Sequence, residues 1–244
     1  MAYQDKLNIK EKDLDKEIYR IMPIHRLLEA FELEKLTLVK PEKWDDPFEN
    51  LLLKGTAKTS DGELLDFAPI RDSVYGQCWT LHKETDAMWR IYSQDKQGAK
   101  VKTTIRKLLN ALQSQSGDFA KVHCFIGEVE YLTQKDLVSK LKNINVLNTS
   151  GSGIAESLIY KRVEFKHEKE VRLLYTEKSG RFHQFKIDPF DLFDEIVFDP
   201  RINKHLFDSY HDSLKNKGYK KSIRQSVMYQ VPKGLRISIY RDRE

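Results

Sequence analysis

The sequence predicts an α+β protein built on a mixed, largely antiparallel sheet with flanking helices. Apolar and polar residues alternate with a period of two in several short segments, most clearly at 163–175 and 181–187, the pattern of strands with one buried face. Short stretches with apolar residues at helical spacing lie between these segments. Strand, helix and strand follow one another between Ile18 and Val39, which is a compact α+β unit. No repeat or linker divides the chain, so its 244 residues, 40% apolar and 32% charged, are read as one domain over 1–244 with a polar arm or helix at 1–17.

Taken in order, 18–22 is a strand ended by Pro23, and Ile24, Leu27, Leu28 and Phe31 mark a helix. A strand at 36–39 is closed by Pro41. Asp46 can cap a short helix over 47–53, with Pro47 at its first position and Glu49 in its first turn. Residues 56–61 read as a turn-rich loop. After a β-rich run at 74–80, Thr85 or Asp86 caps a helix carrying Met88, Trp89, Ile91 and Tyr92. A strand at 99–104 and a helix at 105–112 follow, then a core strand at 122–131 and a helix at 133–141. Beyond a loop at 143–153, a helix at 154–160 delivers Lys161 and Arg162 to the long alternating run 163–175. A buried strand at 195–198, an amphipathic helix at 202–214 and a last strand at 235–240 complete the expectation.

No apolar run reaches membrane-spanning length and no signal-peptide pattern opens the chain, so a cytoplasmic protein with no membrane partner is expected. Cys78 and Cys124 lie in apolar, strand-like surroundings and read as reduced core residues. With seven scattered histidines and no Cys-x-x-Cys or His-Glu-x-x-His, no metal is expected. The net charge of +5 gives weak attraction to polyanions. The basic cluster Lys215, Lys217, Lys220, Lys221 and Arg224 reads first as solvated surface.

Candidate chemistry centres on the run 163–175. As a strand it would point Glu168, Glu170 and Arg172 the same way. The plain reading is a sheet face in water; the sharper one is two carboxylates and a guanidinium held in a cleft. Trp79, Trp89 and Tyr92, near a strand-to-helix turn, are either core residues or a stacking wall for a planar ligand such as a nicotinamide or a base.

The segments Tyr19-Arg20-Ile21, Trp44-Asp45-Asp46-Pro47-Phe48-Glu49, Gly76-Gln77-Cys78-Trp79-Thr80, Met88-Trp89-Arg90-Ile91-Tyr92 and Tyr160-Lys161-Arg162 through Glu168-Lys169-Glu170-Val171-Arg172 resemble, in order, a bacterial family catalogued as a domain of unknown function. Members of that family occur in mobile and phage-defence neighbourhoods, and the resemblance runs from about Ile18 to Val197. More remotely, the order Arg20, Thr80, Glu168-Lys169-Glu170 is similar to arginine-type ADP-ribosyltransferases, which place an arginine, a Ser/Thr and a Glu-x-Glu on successive core strands. Here Cys78-Trp79-Thr80 stands where those enzymes have Ser-Thr-Ser, and Glu-x-Glu also occurs at 32–34 and 128–130.

The resemblance implies an ADP-ribosyltransferase-like fold and NAD as substrate. Glu170 would stabilise the oxocarbenium-like transition state, and Glu168 would orient or deprotonate the acceptor. Arg20 would hold the diphosphate, Thr80 would buttress the ribose or Glu170, and Trp79, Trp89 or Tyr92 would stack on nicotinamide. The acceptor would be a macromolecule, nucleic acid or protein, and a toxin or defence effector of this kind would have a cognate antitoxin. Two other classes stay open. One is a metal-dependent nuclease using Asp45, Asp46, Glu49, Glu168 and Glu170, with Lys166 or Arg172 on the phosphate. The other is a non-catalytic nucleic-acid- or protein-binding module using the basic C-terminal helix.

Overall fold

The computed structural model describes residues 5–44, 46, 48–49, 51–58, 61–146, 148, 151–177, 180–231, 234 and 236. Among the described residues ten strands form the main sheet: β1 (Lys6–Leu7), β2 (Glu17–Pro23), β3 (Lys35–Val39), β4 (Tyr75–Thr80), β5 (Gly98–Thr104), β6 (Cys124–Glu128), β7 (Glu170–Tyr175), β8 (Phe182–Lys186), β9 (Glu195–Phe198) and β10 (Ser222–Gln225). The main path runs β1-β6-β7-β4-β2-β5-β9-β10, with β3 and β8 as a branch from β4. The β1–β6 and β9–β10 pairings are parallel and the other pairings in this sheet are antiparallel. The fold is therefore the expected α+β class with a mixed, largely antiparallel sheet.

Alternation along the strands separates two buried layers. Ile18 and Met22 of β2, Val101 of β5 and Val171 and Leu173 of β7 join one large core with the helix Ile24–Leu33, which buries Ile24, Leu27, Ala30 and Phe31. Those positions lie three or four apart along one helix stripe. Leu174, one residue on from Leu173, belongs to the second core with Phe125, Leu158 and Ile159. Burying each such large apolar side chain contributes about 1.5–3 kcal/mol.

The feature that positions the site is a fork at β4. Its whole length pairs with β7, from Glu170–Thr80 to Tyr175–Tyr75. On the other edge Gly76 pairs with Val39 of β3, whereas Thr80 pairs with Tyr19 of β2. Among the described residues β2 and β4 share that one bridge, so the two strands diverge beside Arg20.

Several expected elements differ in the structure. The run 163–175 is not one strand: Val163–Glu168 is a 3-10 helix, Lys169 takes a left-handed conformation at φ 43°, and only Glu170–Tyr175 pairs in the sheet. Period-two polarity does not reveal where the ladder stops. Here it stops because Thr80 is the last residue of β4, and its hydroxyl donates to the Glu168 carbonyl at 2.6 Å. The expected strand 122–131 splits into β6 and a separate strand Glu130–Leu132, which pairs with Tyr160–Arg162. The expected loop at 56–61 contains instead a strand, Thr56–Lys58, paired with Leu64–Asp66. Of the expected helix 47–53, Phe48 and Glu49 form a turn and the helix is Leu51–Lys54, while the strand expected at 235–240 lies, Arg236 apart, outside the described residues.

Candidate functional site

A cavity of about 470 Å³ opens at the fork between β2 and β4. Tyr19, Arg20 and Ile21 of β2 form one side, and Gly76 to Thr80 of β4 form the base. Met88, Ile91 and Tyr92 of the helix Asp86–Tyr92 close another side, and Trp44, Asp46 and Glu49 a third. Lys161, Phe165, Glu168 and Glu170 complete the wall.

The helix is fixed at both ends. Thr85 caps it, its hydroxyl accepting the Met88 N–H at 3.2 Å. At the C-terminus Arg201 donates to the carbonyls of Trp89 and Ser93 and pairs with buried Asp199. The exposed face of this helix keeps Tyr92 half open at the cavity mouth.

At the cavity wall lies a buried charge cluster. Lys161 Nζ is 2.5 Å from Glu168 Oε2, 2.7 Å from Glu170 Oε1 and 2.7 Å from Glu49 Oε1. Arg172 donates through Nε to Glu170 Oε2 at 2.7 Å and through Nη1 to the Leu158 carbonyl at 2.7 Å, and its Nη2 is 3.1 Å from Glu49. The Trp44 ring covers the Arg172 guanidinium at 4.4 Å. That approach needs Gly76, where a Cβ would lie 2.6 Å from the Trp44 ring. Beside the cluster, Arg162 binds Asp46 with two nitrogens and lies over the Phe48 ring. Glu168 is 7%, Glu170 5% and Arg172 0% exposed, so the charged face is not in water.

Burial pushes both glutamates toward the protonated form. At Glu170 this is outweighed by the Arg172 charge, a hydrogen bond from Glu168 and the Lys161 charge, which hold its carboxyl below the usual range. Glu168 is raised to about 8 by burial and by its hydrogen bond to and repulsion from Glu170, against the pull of Lys161. Three carboxyls face two cations, and a proton on Glu168 cancels the excess charge. The pair titrates as a unit.

Arg20 is the opposite case. Its Nη1 is buried without a hydrogen-bond partner, and among the described residues it makes no ion pair. Burial pulls its guanidinium down to about 10, with the Cys78 and Tyr92 groups acting the other way. A guanidinium with a buried, unbonded nitrogen has the chemistry to receive an anion's oxygen.

Of the residues expected from sequence, Arg20, Thr80, Tyr92, Glu168 and Glu170 border this cavity together. Thr80 fixes the backbone of Glu168 rather than the Glu170 side chain. Trp79 also borders the cavity, but its indole belongs to the large core and donates to Gln77 at 2.8 Å. Trp89 is not at the cavity: it is fully buried against Ile21, Met88 and Val197 and donates to Glu84 at 2.8 Å. The other two Glu-x-Glu pairs lie away from it.

Lys161 and Glu49 complete the cluster without having a place in the transferase scheme: in the sequence Glu49 reads as a first-turn residue of a capped helix and Lys161 as a residue before a strand, and neither pattern signals a long-range ion pair. Among the described residues no group of three His, Cys, Asp or Glu is arranged to hold a metal, and the Lys161 ammonium sits between the carboxyls that the nuclease reading would use. Asp45 lies outside the described residues. Three members of the basic C-terminal cluster pair with acidic residues distant in sequence, Lys217 with Glu32, Lys221 with Asp194 and Arg224 with Glu195. Cys78 and Cys124 are both free thiols. No helix among the described residues is long and apolar enough to cross a membrane.

A family model described as "Protein of unknown function (DUF2971)" matches residues 88–173, a stretch that includes Tyr92, Lys161, Glu168, Glu170 and Arg172. No match was found among curated proteins. Among solved structures, Thermus sp. 2.9 DarT in complex with NAD+ is similar at 11% identity, covering 87% of this chain and 96% of that chain with a TM-score of 0.39. The same protein with carba-NAD+ gives 12% identity, 89% and 97% coverage and a TM-score of 0.39. With ADP-ribosylated ssDNA it gives 11%, 87% and 94%, and 0.40. Similarity at this level transfers neither activity nor residue roles.

Proposed function

We propose that the chain is an NAD-dependent ADP-ribosyltransferase that cleaves the nicotinamide–ribose bond and passes ADP-ribose to a macromolecular acceptor, nucleic acid or protein. The observation that carries this reading is convergence: Arg20 of β2 and the Glu168-Lys169-Glu170 stretch, about 150 residues away in sequence, border one cavity. Its volume is within the range of about 300–1,000 Å³ of small-molecule sites.

Each group has a role that its environment supports. Arg20, partly buried with its Nη1 buried and unbonded, takes the NAD diphosphate. Of the three aromatics expected to stack on nicotinamide, Tyr92, half open at the mouth, is the one left for that role, since Trp79 and Trp89 use their indoles in the core. As the C1′–N bond breaks, its electron pair passes to the pyridinium nitrogen and nicotinamide leaves neutral, while positive charge grows on the ribose. Glu170, kept ionised, stabilises that charge. The acceptor nucleophile then bonds C1′, and its proton passes to Glu168 when that carboxyl is ionised, near and above pH 8. We place this activity in a cytoplasmic toxin or defence effector held in check by a cognate antitoxin.

The test is incubation with NAD labelled in its ADP-ribose part, together with cell lysate, reading nicotinamide release and label transfer before and after nuclease or protease treatment. Release that depends on Glu170 is expected. Absence of release from folded protein in lysate overturns the reading.

A further inference from the structure

We propose that Lys161 is a positioning residue for the Glu168/Glu170 pair, a buried ammonium that fixes both carboxyls at the cavity wall without touching substrate itself. The inference rests on the reading of those glutamates as the reacting carboxyls. An ammonium has three N–H donors. Here it donates to Glu168 and Glu170 at 2.5 and 2.7 Å, and the same nitrogen is ion-paired with Glu49 at 2.7 Å. Three carboxyls crowd this nitrogen, and the Phe165 ring lies 4.5 Å away over it.

Glu49 is far in sequence from the other two carboxyls, and Glu168 and Glu170, two residues apart, belong to different elements joined by left-handed Lys169. Arg172 reaches Glu170 and Glu49 but makes no ion pair with Glu168. Lys161 is thus the described cation that ties Glu168 to Glu170. The groups that face Glu168 are Glu170 on β7, Lys161 on the strand Tyr160–Arg162, and Tyr92 and Tyr131, whose hydroxyls are held in the neutral form by burial and then by nearby carboxylates. Among them Lys161 is the one that favours ionised Glu168. Removing it releases Glu168 Oε2 and leaves two buried carboxyls in repulsion, with Arg172 on only one of them.

The first arm of the test uses the wild-type protein. With 13C-carboxyl glutamate and 15Nζ lysine, the Glu168 carboxyl, assigned by its loss in Glu168→Gln, and the Lys161 ammonium must titrate with one shared midpoint. An ammonium signal that does not move through the Glu168 midpoint overturns the proposal. This arm needs no variant of Lys161 and no enzymatic activity, so it decides the role of Lys161 even where the NAD reading fails for lack of nicotinamide release. The second arm uses the charge-balanced pair Lys161→Met/Glu49→Gln. When this protein folds, the expected result is a Glu168 midpoint raised by about one pH unit or more. Nicotinamide release should also fall about a hundredfold in kcat, as misplacement of reacting groups produces, with KM for NAD unchanged. A folded double variant with the wild-type midpoint and kcat overturns the proposal. Should the variant not fold, the wild-type titration stands as the decision.

Discussion

Glu168 and Glu170 meet on one ammonium although their backbones differ in kind, Glu168 ending a 3-10 helix and Glu170 opening a strand, with left-handed Lys169 between them. The turn brings two side chains that a continuous strand would hold in parallel onto the same nitrogen. A raised carboxyl costs stability in a defined window. Glu168 binds its proton more tightly in the folded chain, so its contribution is complete below the ordinary value of 4.5 and is lost as pH rises to about 8. Glu168→Gln, which mimics the protonated form, should gain on the wild type by about 1.4 kcal/mol per pH unit across that window and no further above it. Thermal unfolding of both proteins from pH 5 to pH 9 measures the difference; a gap independent of pH would refute the protonated state.

Glu170 has the opposite sign. Its carboxyl is held down by Arg172 and Lys161 against burial, so its stabilisation is present above the ordinary carboxyl range and lost as pH falls. Glu170→Gln should reduce nicotinamide release by about 10²–10³ in kcat, the loss expected when a charge-stabilising group is removed. It also leaves buried Arg172 short of a counter-ion, a change worth up to about 3–5 kcal/mol. Urea titration and nicotinamide release measured on the same preparation separate the two effects. A folded variant with near-normal release would remove Glu170 from the reaction.

Arg20→Ala should separate binding from folding. Nη1 makes no hydrogen bond and the guanidinium no ion pair among the described residues, so truncation removes a desolvated charge without breaking an ion pair among them. The melting temperature should hold or rise, while NAD affinity falls about tenfold or more, the scale of one charge-assisted hydrogen bond or two. Calorimetric titration with NAD and a thermal scan give both numbers. Unchanged affinity would take the diphosphate role from Arg20.

Trp89→Phe should behave as a core change. The indole is buried against Ile21, Met88 and Val197, and its N–H donates at 2.8 Å to the Glu84 carboxylate, which keeps Ser226 and Lys100 as partners when the indole is removed. A cost of about 1.5–3 kcal/mol is expected from the lost hydrogen bond to a charged group, with KM for NAD unaltered; steady-state kinetics beside denaturant unfolding would show it.

What was legible in the sequence was local. The helix of Ile24 to Phe31, the Thr85 cap and the strands around Tyr19, Cys78, Val101 and Ile196 follow from periodicity and capping, which act over a few residues. The ordered residues Arg20, Thr80, Glu168 and Glu170 do border one cavity. What was not legible depends on chain segments far apart in sequence. The charged face beginning at Glu168 looked like sheet surface because its counter-ions, Lys161 and Glu49, belong to other segments. The strand Ser222–Gln225 was hidden by lysines and arginine whose partners, such as Glu195 for Arg224, come from β9. The break at Lys169 was invisible because Glu-Lys-Glu alternates equally well on a strand and across a left-handed turn.

Gly76 sets how closely the Trp44 side of the cavity approaches β4. An added Cβ would lie 2.6 Å from Trp44 Cζ2 and 3.0 Å from Leu174 Cδ2, and the Trp44 ring is what covers Arg172 at 4.4 Å. The backbone of β4 is held on both edges, by β7 along its length and by Val39 at this residue, so the ring must yield. Gly76→Ala should therefore cost about 1–3 kcal/mol, the usual penalty for overpacking, and admit water to Arg172. The change should be visible as a red shift in tryptophan emission and as accelerated hydrogen exchange at the Arg172 guanidinium. In Gly76→Ala/Trp44→Leu, where the smaller side chain leaves room for the methyl group, the packing penalty should shrink while Arg172 stays exposed. Equal stability losses in the single and double variants would show that the contact between Gly76 and Trp44 does not set this wall.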